Sequence, residues 1–399
     1  MKHRFQILDI NKIFLYNLSS NLPIRVLHVI PSLSKGGAER LCLDMIRCMQ
    51  ELQGVETYLV VLSSENAYSE EYQDITPQVI NAYVIPSVTG TWKVCLREWD
   101  NLVREMRPNI IHSHLYEAEI VTRYNLIKGV RYFTHCHQNT PQLSPFRIFD
   151  LFSKTRLAQL YERHFLMKKY VLSKNQFLCI SKNTLEYYHS ILPKQISKNT
   201  HLLPNAIDVQ QFIKKSSNAP VTGKTIKLVS IGRLDQNKNQ QFLIHVVAEL
   251  KNRSIPINLV LLGDGELKNE LKNLSYNLKV ENEIEFYGSQ QNIERVLWEQ
   301  HVYVHSAISE AFGLVFLEAM AAGLPIVTLN GGGNQELILE NVNGHLITTN
   351  SVARFADKVL SICESNVHYE RMSAAAKEFA KKFDIYPYCK KLVVLYKVN

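Results

Sequence analysis

Residues 309–338 read SEAFGLVFLEAMAAGLPIVTLNGGGNQELI, and no other segment of the chain is as informative about structure. Glu310 and Glu318 lie eight positions apart in this segment, and Gly313 between them breaks a helical pattern. We therefore expect Glu310 in a loop and Glu318 in the first turn of a helix that begins near Phe316. The two carboxylates would then face one cleft from different supports. The structural alternative is a capped amphipathic helix with two solvated acids.

The turn between the two glutamates adds a feature that suits phosphate. It comprises Phe312, Gly313, Leu314 and Val315, whose backbone N–H groups would lie near the N-terminus of the helix. The helix dipole and these N–H groups favour an anion at that position. Together with two carboxylates that accept hydrogen bonds from hydroxyl groups, the turn predicts a site for a sugar diphosphate.

Strand and helix patterns alternate along both halves of the chain, which predicts an α/β fold with parallel sheets covered on both faces. In the first half, the strand patterns begin at Ile24 and continue at residues 55–63, 109–115, 130–136 and 176–181. In the second half they occupy residues 226–234, 257–265, 284–288, 302–306, 323–329 and 344–348. We predict two doubly wound, Rossmann-like domains that face a central cleft.

The domain division follows from chain length and from a polar stretch. A chain of 399 residues exceeds what one hydrophobic core usually holds. The segments LLPNAID (202–208) and KKSSNAPVTGK (214–224) mark the boundary. We assign residues 1–23 to an N-terminal extension, 24–205 to an N-terminal domain, 206–380 to a C-terminal domain and 381–399 to a C-terminal helix.

Composition narrows the function classes. Hydrophobic residues at 46% and charged residues at 21% are typical of a globular protein. A net charge of +8 suits anionic ligands or an anionic membrane surface, and nucleic acid is the weaker interpretation. Seven cysteines without a CxxC pair indicate reduced thiols in a cytoplasmic protein. No apolar run is long enough for a membrane span.

Residues 154–174 form a basic amphipathic pattern in which six lysines and arginines accompany one acid, Glu162. Such a helix can lie on anionic lipid headgroups. It can equally pack its apolar side on a core and leave its basic side in water. Both interpretations stay open from the sequence.

Two cations and two glycines follow strand patterns. Arg233 and Lys238, in SIGRLDQNKN (230–239), could neutralise a diphosphate without a metal, because a guanidinium binds phosphate bidentately and a lysine adds a compact charge. Gly36 and Gly37 lie between a strand and a helix, where the backbone can approach a bound anion. The structural alternatives are solvated cations and a tight turn.

Two histidine pairs also follow strand patterns, His112 with His114 and His135 with His137. Alternate residues of a strand share a face, so each pair could converge as in a zinc site. Cys136 would point away from its neighbours, however, and no further cysteine or acidic ligand recurs at the usual spacing. We predict no metal site. His137, the last residue before a polar loop, is expected to reach the cleft, and His112 and His135 are expected to be structural.

Taken together, these motifs resemble the retaining glycosyltransferases of family 4, which have the two-domain GT-B fold. The resemblance covers Ile24 to the C-terminus. Its elements occur in the family's order: GGAER (36–40), a histidine after a middle strand, PNAID (204–208), GRLDQNKN (232–239), LLGDGE (261–266) and SEAFGLVFLEAMAAGLPIV (309–327).

The resemblance implies a role for each site residue. Arg233 and Lys238 would contact the donor diphosphate, Glu318 the donor ribose, and Glu310 the hydroxyls of the transferred sugar. Further implied contacts to the donor come from Gly36, Gly37, Tyr287 in the base pocket, and the backbone of Phe312, Gly313, Leu314 and Val315. His137 matches the family's active-site histidine, although the segment reads THCHQN where the family has SHSHN.

The resemblance further implies a reaction and a setting. A hexosyl group would pass from a nucleotide-sugar, with UDP favoured, to a glycan or lipid-linked acceptor in capsule, exopolysaccharide or lipopolysaccharide synthesis. Neither metal nor cofactor would be required. We expect a cytoplasmic protein, with peripheral contact to the inner face of the cytoplasmic membrane as an option, and a C-terminal helix that crosses back to the N-terminal domain. The alternatives are a non-catalytic nucleotide-sugar-binding protein and a sugar-nucleotide epimerase of the same fold.

Overall fold

The structure is a computed structural model that describes residues 23–85, 93–146, 153–213, 219–220 and 224–398. Nearly all of the predicted extension 1–23 and most of the polar stretch 214–224 lie outside these ranges.

The described part of the N-terminal domain is built on one parallel sheet. Its strands are β1 (Ile24–Ile30), β2 (Val55–Val61), β3 (Gln78–Val79), β6 (Ile110–His114), β7 (Arg131–Cys136), β8 (Gln176–Cys179) and β9 (Thr200–Leu202). Two further strands, β4 (Tyr83–Ile85) and β5 (Lys93–Cys95), form a separate antiparallel pair. The strand order in the sheet is β3-β2-β1-β6-β7-β8-β9. Its helices are α1 (Gly37–Gln50), α2 (Arg97–Met106), α3 (Tyr116–Tyr124), α4 (Lys154–Ser173) and α5 (Lys182–Ile191), and the short α6 (Val209–Phe212) leads out of it.

The C-terminal domain repeats this architecture. Its strands are β10 (Ile226–Ile231), β11 (Ile257–Leu262), β12 (Ile284–Gly288), β13 (Val302–His305), β14 (Ile326–Leu329) and β15 (Gly344–Ile347), in the parallel order β12-β11-β10-β13-β14-β15. Its helices are α7 (Gln240–Asn252), α8 (Lys268–Asn277), α9 (Ile293–Leu297), α10 (Leu314–Ala321), α11 (Val352–Ile362) and α12 (Asn366–Ala380). A last helix, α13, covers Ile385–Lys397.

Burial on both faces explains why the central strands read as continuous apolar runs. In β1, Val26 packs on one side of the sheet while Leu27 and Val29 pack on the other. In β10, Leu228 and Val229 likewise belong to different cores. Successive side chains of a strand point to opposite faces, so a strand with helices on both faces favours apolar residues at most positions.

Helix α13 packs on the N-terminal domain although it follows the C-terminal domain in sequence. Its residues Cys389, Leu392 and Tyr396 share one apolar cluster with Val26 of β1 and Leu41 of α1. The chain therefore crosses between the domains twice.

The two crossings are hydrogen-bonded to each other. The N–H of Ile207 donates to the carbonyl of Phe383 at 3.0 Å, and the N–H of Ile385 donates back to the carbonyl of Ile207 at 2.9 Å. Among the described residues, the chain passes between the domains in these two segments, where relative domain movement can bend the backbone.

The structure corrects the helix start predicted in the 309–338 segment. The helix begins at Leu314, two residues before the predicted start at Phe316. Gly313 is the residue before α10, and its φ of 90° favours glycine. Glu318 consequently lies in the second turn of α10, beyond the predicted first turn.

Two further observations concern the state of the cysteines and the possibility of a membrane-spanning helix. All seven cysteines are free thiols. Among the described residues we find no helix whose length and apolar content would let it span a bilayer.

We expect Leu392→Ala to destabilise the N-terminal domain by about 2–5 kcal/mol, because it removes a fully buried side chain between α13 and the sheet. Lys391→Ala, at the exposed neighbouring position, is the matched control and should change stability by less than about 0.5 kcal/mol. Urea denaturation followed by far-UV circular dichroism measures both. Equal losses in the two variants would contradict this packing role.

Candidate functional site

Each sheet has one point where the strand order reverses, between β1 and β6 and between β10 and β13. Ligands of doubly wound sheets bind beyond the carboxyl ends of the strands at such points. Gly36 and Gly37 follow β1, Arg233 and Lys238 follow β10, and Glu310 follows β13. The topology therefore brings these five residues to the ligand-binding edges of the two sheets.

The loop after β10 is organised by Asp235, which the sequence analysis did not single out. Its carboxylate accepts hydrogen bonds from the backbone N–H of Lys238 at 2.9 Å and from Nε of Arg233 at 2.7 Å. The Arg233 side chain is 78% exposed. The loop after β11 approaches this loop closely at Gly263. Residue 263 must be glycine, because a Cβ there would lie 2.0 Å from the carbonyl oxygen of Gly232.

Lys238 and Glu310 form a direct ion pair. Nζ of Lys238 lies 2.6 Å from Oε2 of Glu310, and Nε2 of His305, at the end of β13, lies 3.4 Å from the same oxygen. Burial alone would raise the pKa of Glu310, but His305 and the charge of Lys238 outweigh it and lower the pKa to about 2. Glu310 is thus ionised at neutral pH and acts only as a hydrogen-bond acceptor.

The glycine run Gly331 to Gly333 fixes the backbone of Glu310. The N–H of Glu310 donates to the carbonyl of Gly331 at 2.7 Å, and the N–H of Gly333 donates to the carbonyl of Glu310 at 2.8 Å. A Cβ at Gly333 would lie 2.0 Å from the carbonyl oxygen of Ala311. This close backbone contact explains why glycine is required there.

Helix α10 presents its N-terminus to the glycine turn of the other domain. Leu314 lies at the first helical position, and a Cβ at Gly37 would lie 3.4 Å from its Cδ1. The first N–H groups of a helix have no partner within the helix and can hold an anion. The side chain of Phe312 lies in the apolar core, where it packs edge-on against Phe383.

Glu318 is buried and contacts the N-terminal domain. Its Oε1 lies 3.6 Å from a guanidinium nitrogen of Arg40 in α1, and its side chain is 4% exposed. Burial raises the pKa of Glu318, and the charge of Arg40 offsets that rise only in part. Arg40 also donates to Gln211 at 3.1 Å. Arg40 ends the GGAER motif but was not among the predicted site residues.

His137 belongs to a group of five histidines, which we call the histidine cluster: His28, His112, His114, His135 and His137. Nδ1 of His114 lies 3.1 Å from Nε2 of His137, and the rings of His135 and His137 stack with centroids 4.2 Å apart. His137 is half-buried, and burial lowers its pKa to about 3. His112 and His135, which were predicted to be structural, are buried, and the convergence with His28 was not foreseen.

An open cavity of about 520 Å³ lies between the domains, beside the end of β12. Lys35, next to the glycine turn, lines one side, and Ser289, Gln291 and Arg295 line the other. Tyr287 precedes this lining segment in sequence and is 41% exposed. Across the domain boundary, Gln291 donates to Glu70 at 2.7 Å.

Two family models match most of the chain. The model described as Glycosyltransferase Family 4 matches residues 35–211, and the model described as Glycosyl transferases group 1 matches residues 210–379. The two matches meet at α6, where the chain leaves the first sheet.

Two curated relatives match this chain over most of their length. EpsF of Bacillus subtilis, named as a glycosyltransferase, is 25% identical over 314 residues, which cover 76% of this chain and 78% of EpsF. A protein of Escherichia coli named UDP-Gal:alpha-D-GlcNAc-diphosphoundecaprenol alpha-1,3-galactosyltransferase is 23% identical over 382 residues, which cover 87% of this chain and 92% of that protein.

Solved structures confirm the predicted GT-B fold. HepE of Anabaena in complex with UDP and glucose superposes with a TM-score of 0.73 at 18% identity, covering 94% of this chain and 100% of that one. WaaG, a glycosyltransferase involved in lipopolysaccharide biosynthesis, gives a TM-score of 0.65 at 14% identity, covering 94% and 100%.

We expect the stability that Glu310 contributes to depend on pH. Its folded-state pKa of about 2 lies below the ordinary value of 4.5, so this stability is present above pH 4.5 and is lost as the pH falls toward 2. The difference in unfolding free energy between the wild type and Glu310→Gln should be about 3 kcal/mol at pH 7 and should shrink toward pH 3.

Urea denaturation between pH 7 and pH 3 measures this difference. Glu281→Gln, at an exposed position of the same domain, is the control and should stay near wild-type stability. A difference for Glu310→Gln that stays constant over this range would show that Glu310 is not held ionised by its neighbours.

Proposed function

The chain belongs to the group 1 and family 4 glycosyltransferases of glycan biosynthesis, and on this premise we propose that it transfers a hexosyl group from a nucleotide-sugar with retention of configuration. UDP is the proposed nucleotide, and a lipid-linked cell-surface glycan is the proposed acceptor. The observation that carries the proposal is the Lys238–Glu310 ion pair at the strand reversal of the C-terminal sheet, next to the N-terminus of α10.

The charges around this pair suit a departing nucleoside diphosphate. When the bond between the sugar and the phosphate oxygen breaks, negative charge grows on the diphosphate and positive charge on the sugar. Lys238, Arg233 and the N–H groups at the start of α10 are positioned to stabilise the negative charge without a metal ion. The ionised Glu310 would accept hydrogen bonds from the hydroxyls of the transferred sugar.

Binding would exchange the partners of both cations. Without ligand, Lys238 is neutralised by Glu310 and Arg233 by Asp235. The phosphate oxygens would bind Lys238 and Arg233. Glu310 would then accept hydrogen bonds from the sugar. In this way each cation would stay paired with an anion before and after binding, while Glu310 would exchange its cation for hydrogen bonds from the sugar hydroxyls.

The contacts across the cleft supply the remaining proposed roles. Glu318 would bind the ribose hydroxyls, which requires it to exchange Arg40 for the ligand. Gly36 and Gly37 would approach the phosphates from the opposite side. The cavity lined by Ser289 and Gln291, just after β12, is of a size that accommodates a nucleoside base, and His137 would contact the transferred sugar from the N-terminal domain.

The surface of α4 supports peripheral membrane contact as part of this proposal. Leu160, His164, Lys168 and Leu172 are exposed at intervals of four residues and so form one line along the helix. By contrast, Arg163 and Lys169 donate to backbone carbonyls of the same domain, at 3.0 Å and 2.6 Å. Only part of the basic pattern therefore faces outward.

We expect Lys238→Ala and Glu318→Ala each to lower the transfer rate by about 100-fold or more, because each removes a group that the proposed transition state or donor requires. Lys381→Ala, an exposed lysine paired with Glu378, is the control and should keep wild-type activity. The assay incubates the protein with UDP-, GDP- and ADP-sugars and a lipid extract, and detects the product by mass.

Thermal shifts with the same nucleotides separate loss of binding from loss of folding. Both variants should keep a cooperative transition, and the wild type should be stabilised by one nucleotide class. Wild-type turnover in both variants, or stabilisation by none of the nucleotides, would refute the proposed donor site.

We expect the protein to bind vesicles that contain phosphatidylglycerol and not vesicles of phosphatidylcholine alone. Lys168→Gln should weaken binding about fivefold, since one basic residue near an anionic surface contributes about 1 kcal/mol. Lys391→Gln on α13 is the matched control. Cosedimentation measures the bound fraction, and a wild-type protein that stays in the supernatant would refute membrane contact.

A further inference from the structure

The histidine cluster contains an inner group of three, His28, His112 and His114, which the proposed transfer reaction does not use. The register of β1 and β6 places His28 directly beside His112, and His114 lies two residues further along the same face. All three side chains are fully buried. One ring nitrogen from each lies within 4.8 Å of those of the other two.

The spacing of two of these nitrogens matches two ligands of one metal ion. Nδ1 of His28 lies 3.2 Å from Nε2 of His114. Zinc binds histidine nitrogen at about 2.0–2.1 Å in tetrahedral geometry, which places two ligand nitrogens about 3.3 Å apart. A direct hydrogen bond between the rings of His28 and His114 would place these two nitrogens at a similar distance. The surroundings of the third ring, His112, therefore decide between a metal site and a hydrogen bond.

His112 has a ring nitrogen that a metal ion would satisfy. Its Nδ1 is hydrogen-bonded to the hydroxyl of Tyr396 in α13, and its Nε2 is buried without a hydrogen-bond partner among the described residues. A neutral imidazole that donates from Nδ1 carries a lone pair on Nε2. A buried lone pair without a partner is unfavourable, and a metal ion is the partner that this nitrogen lacks.

The groups behind two of the three rings, those of His112 and His114, resemble the outer shell of a metal site, whereas Nε2 of His28 is buried without a hydrogen-bond partner among the described residues. Histidine ligands usually donate their second ring N–H to a neighbour, which fixes the orientation of the ring. Tyr396 is that neighbour for His112, and Nε2 of His137 is that neighbour for Nδ1 of His114.

We propose that His28, His112 and His114 bind one divalent transition-metal ion of the zinc class. The ligand atoms are Nδ1 of His28 and Nε2 of His112 and His114. Imidazole ligands favour zinc and its transition-metal neighbours over magnesium and calcium. The ion joins β1 to β6 and, through Tyr396, to α13. It lies in the domain opposite Lys238 and Glu310 and has no part in binding the diphosphate.

The test uses full-length protein without a polyhistidine tag, made in cells grown with added Zn²⁺ so that the ion is present during folding. Elemental analysis should find about one zinc per chain. Protein made with Co²⁺ instead should show the intense visible absorption of tetrahedral cobalt with nitrogen ligands. Less than about 0.1 metal ion per chain in both preparations would overturn the proposal without any variant.

Variants locate the ion within the cluster. His112→Gln and His28→Gln should lose the metal, Tyr396→Phe should weaken binding roughly tenfold by removing the outer partner, and the exposed His164→Gln should keep full occupancy. His135→Gln separates the inner group from the outer group of His114, His135 and His137. Loss of metal in His135→Gln, with retention in His28→Gln, would place the ion elsewhere and overturn the proposal.

Discussion

The carboxylate of Glu310 is the point at which three loops of the C-terminal domain meet. Its side chain contacts Lys238 from the loop after β10 and His305 at the end of β13, while its backbone is held by the glycine run after β14. A charge buried to this degree is tolerated only because the ammonium group of Lys238 compensates it. The position of the candidate site therefore depends on this pair, since moving either partner would leave the other uncompensated.

The two domains line the same cleft with different chemistry. The C-terminal domain contributes Lys238, Glu310 and a helix N-terminus, whereas the N-terminal domain contributes a glycine turn and the cations Lys35 and Arg40. The contact between Arg40 and Glu318 joins the two sides in the ligand-free structure. A ligand that engages Glu318 must replace this contact, which couples donor binding to the relative position of the domains.

The sequence was sufficient for the architecture and insufficient for the convergence of side chains. Alternating strand and helix patterns predicted both parallel sheets, because strands buried on both faces read as apolar runs. Local reasoning failed at Gly313, where a positive φ allows glycine to cap a helix as well as to break one. The meeting of His28 with His112 depends on strand order, and the meeting of Arg40 with Glu318 depends on domain arrangement. Neither can be read from spacing along the chain.

The docking of α13 on the first sheet has a consequence for how the protein is made. Residues 24–202 leave the ribosome long before Ile385–Lys397, so Val26 and Leu41 of the nascent N-terminal domain stay uncovered until α13 has been made. The C-terminal domain contains all of its own sheet and can fold first. A chain that ended before α13 would keep every strand of the second sheet but would leave this apolar face of the first domain open to chaperones and proteases.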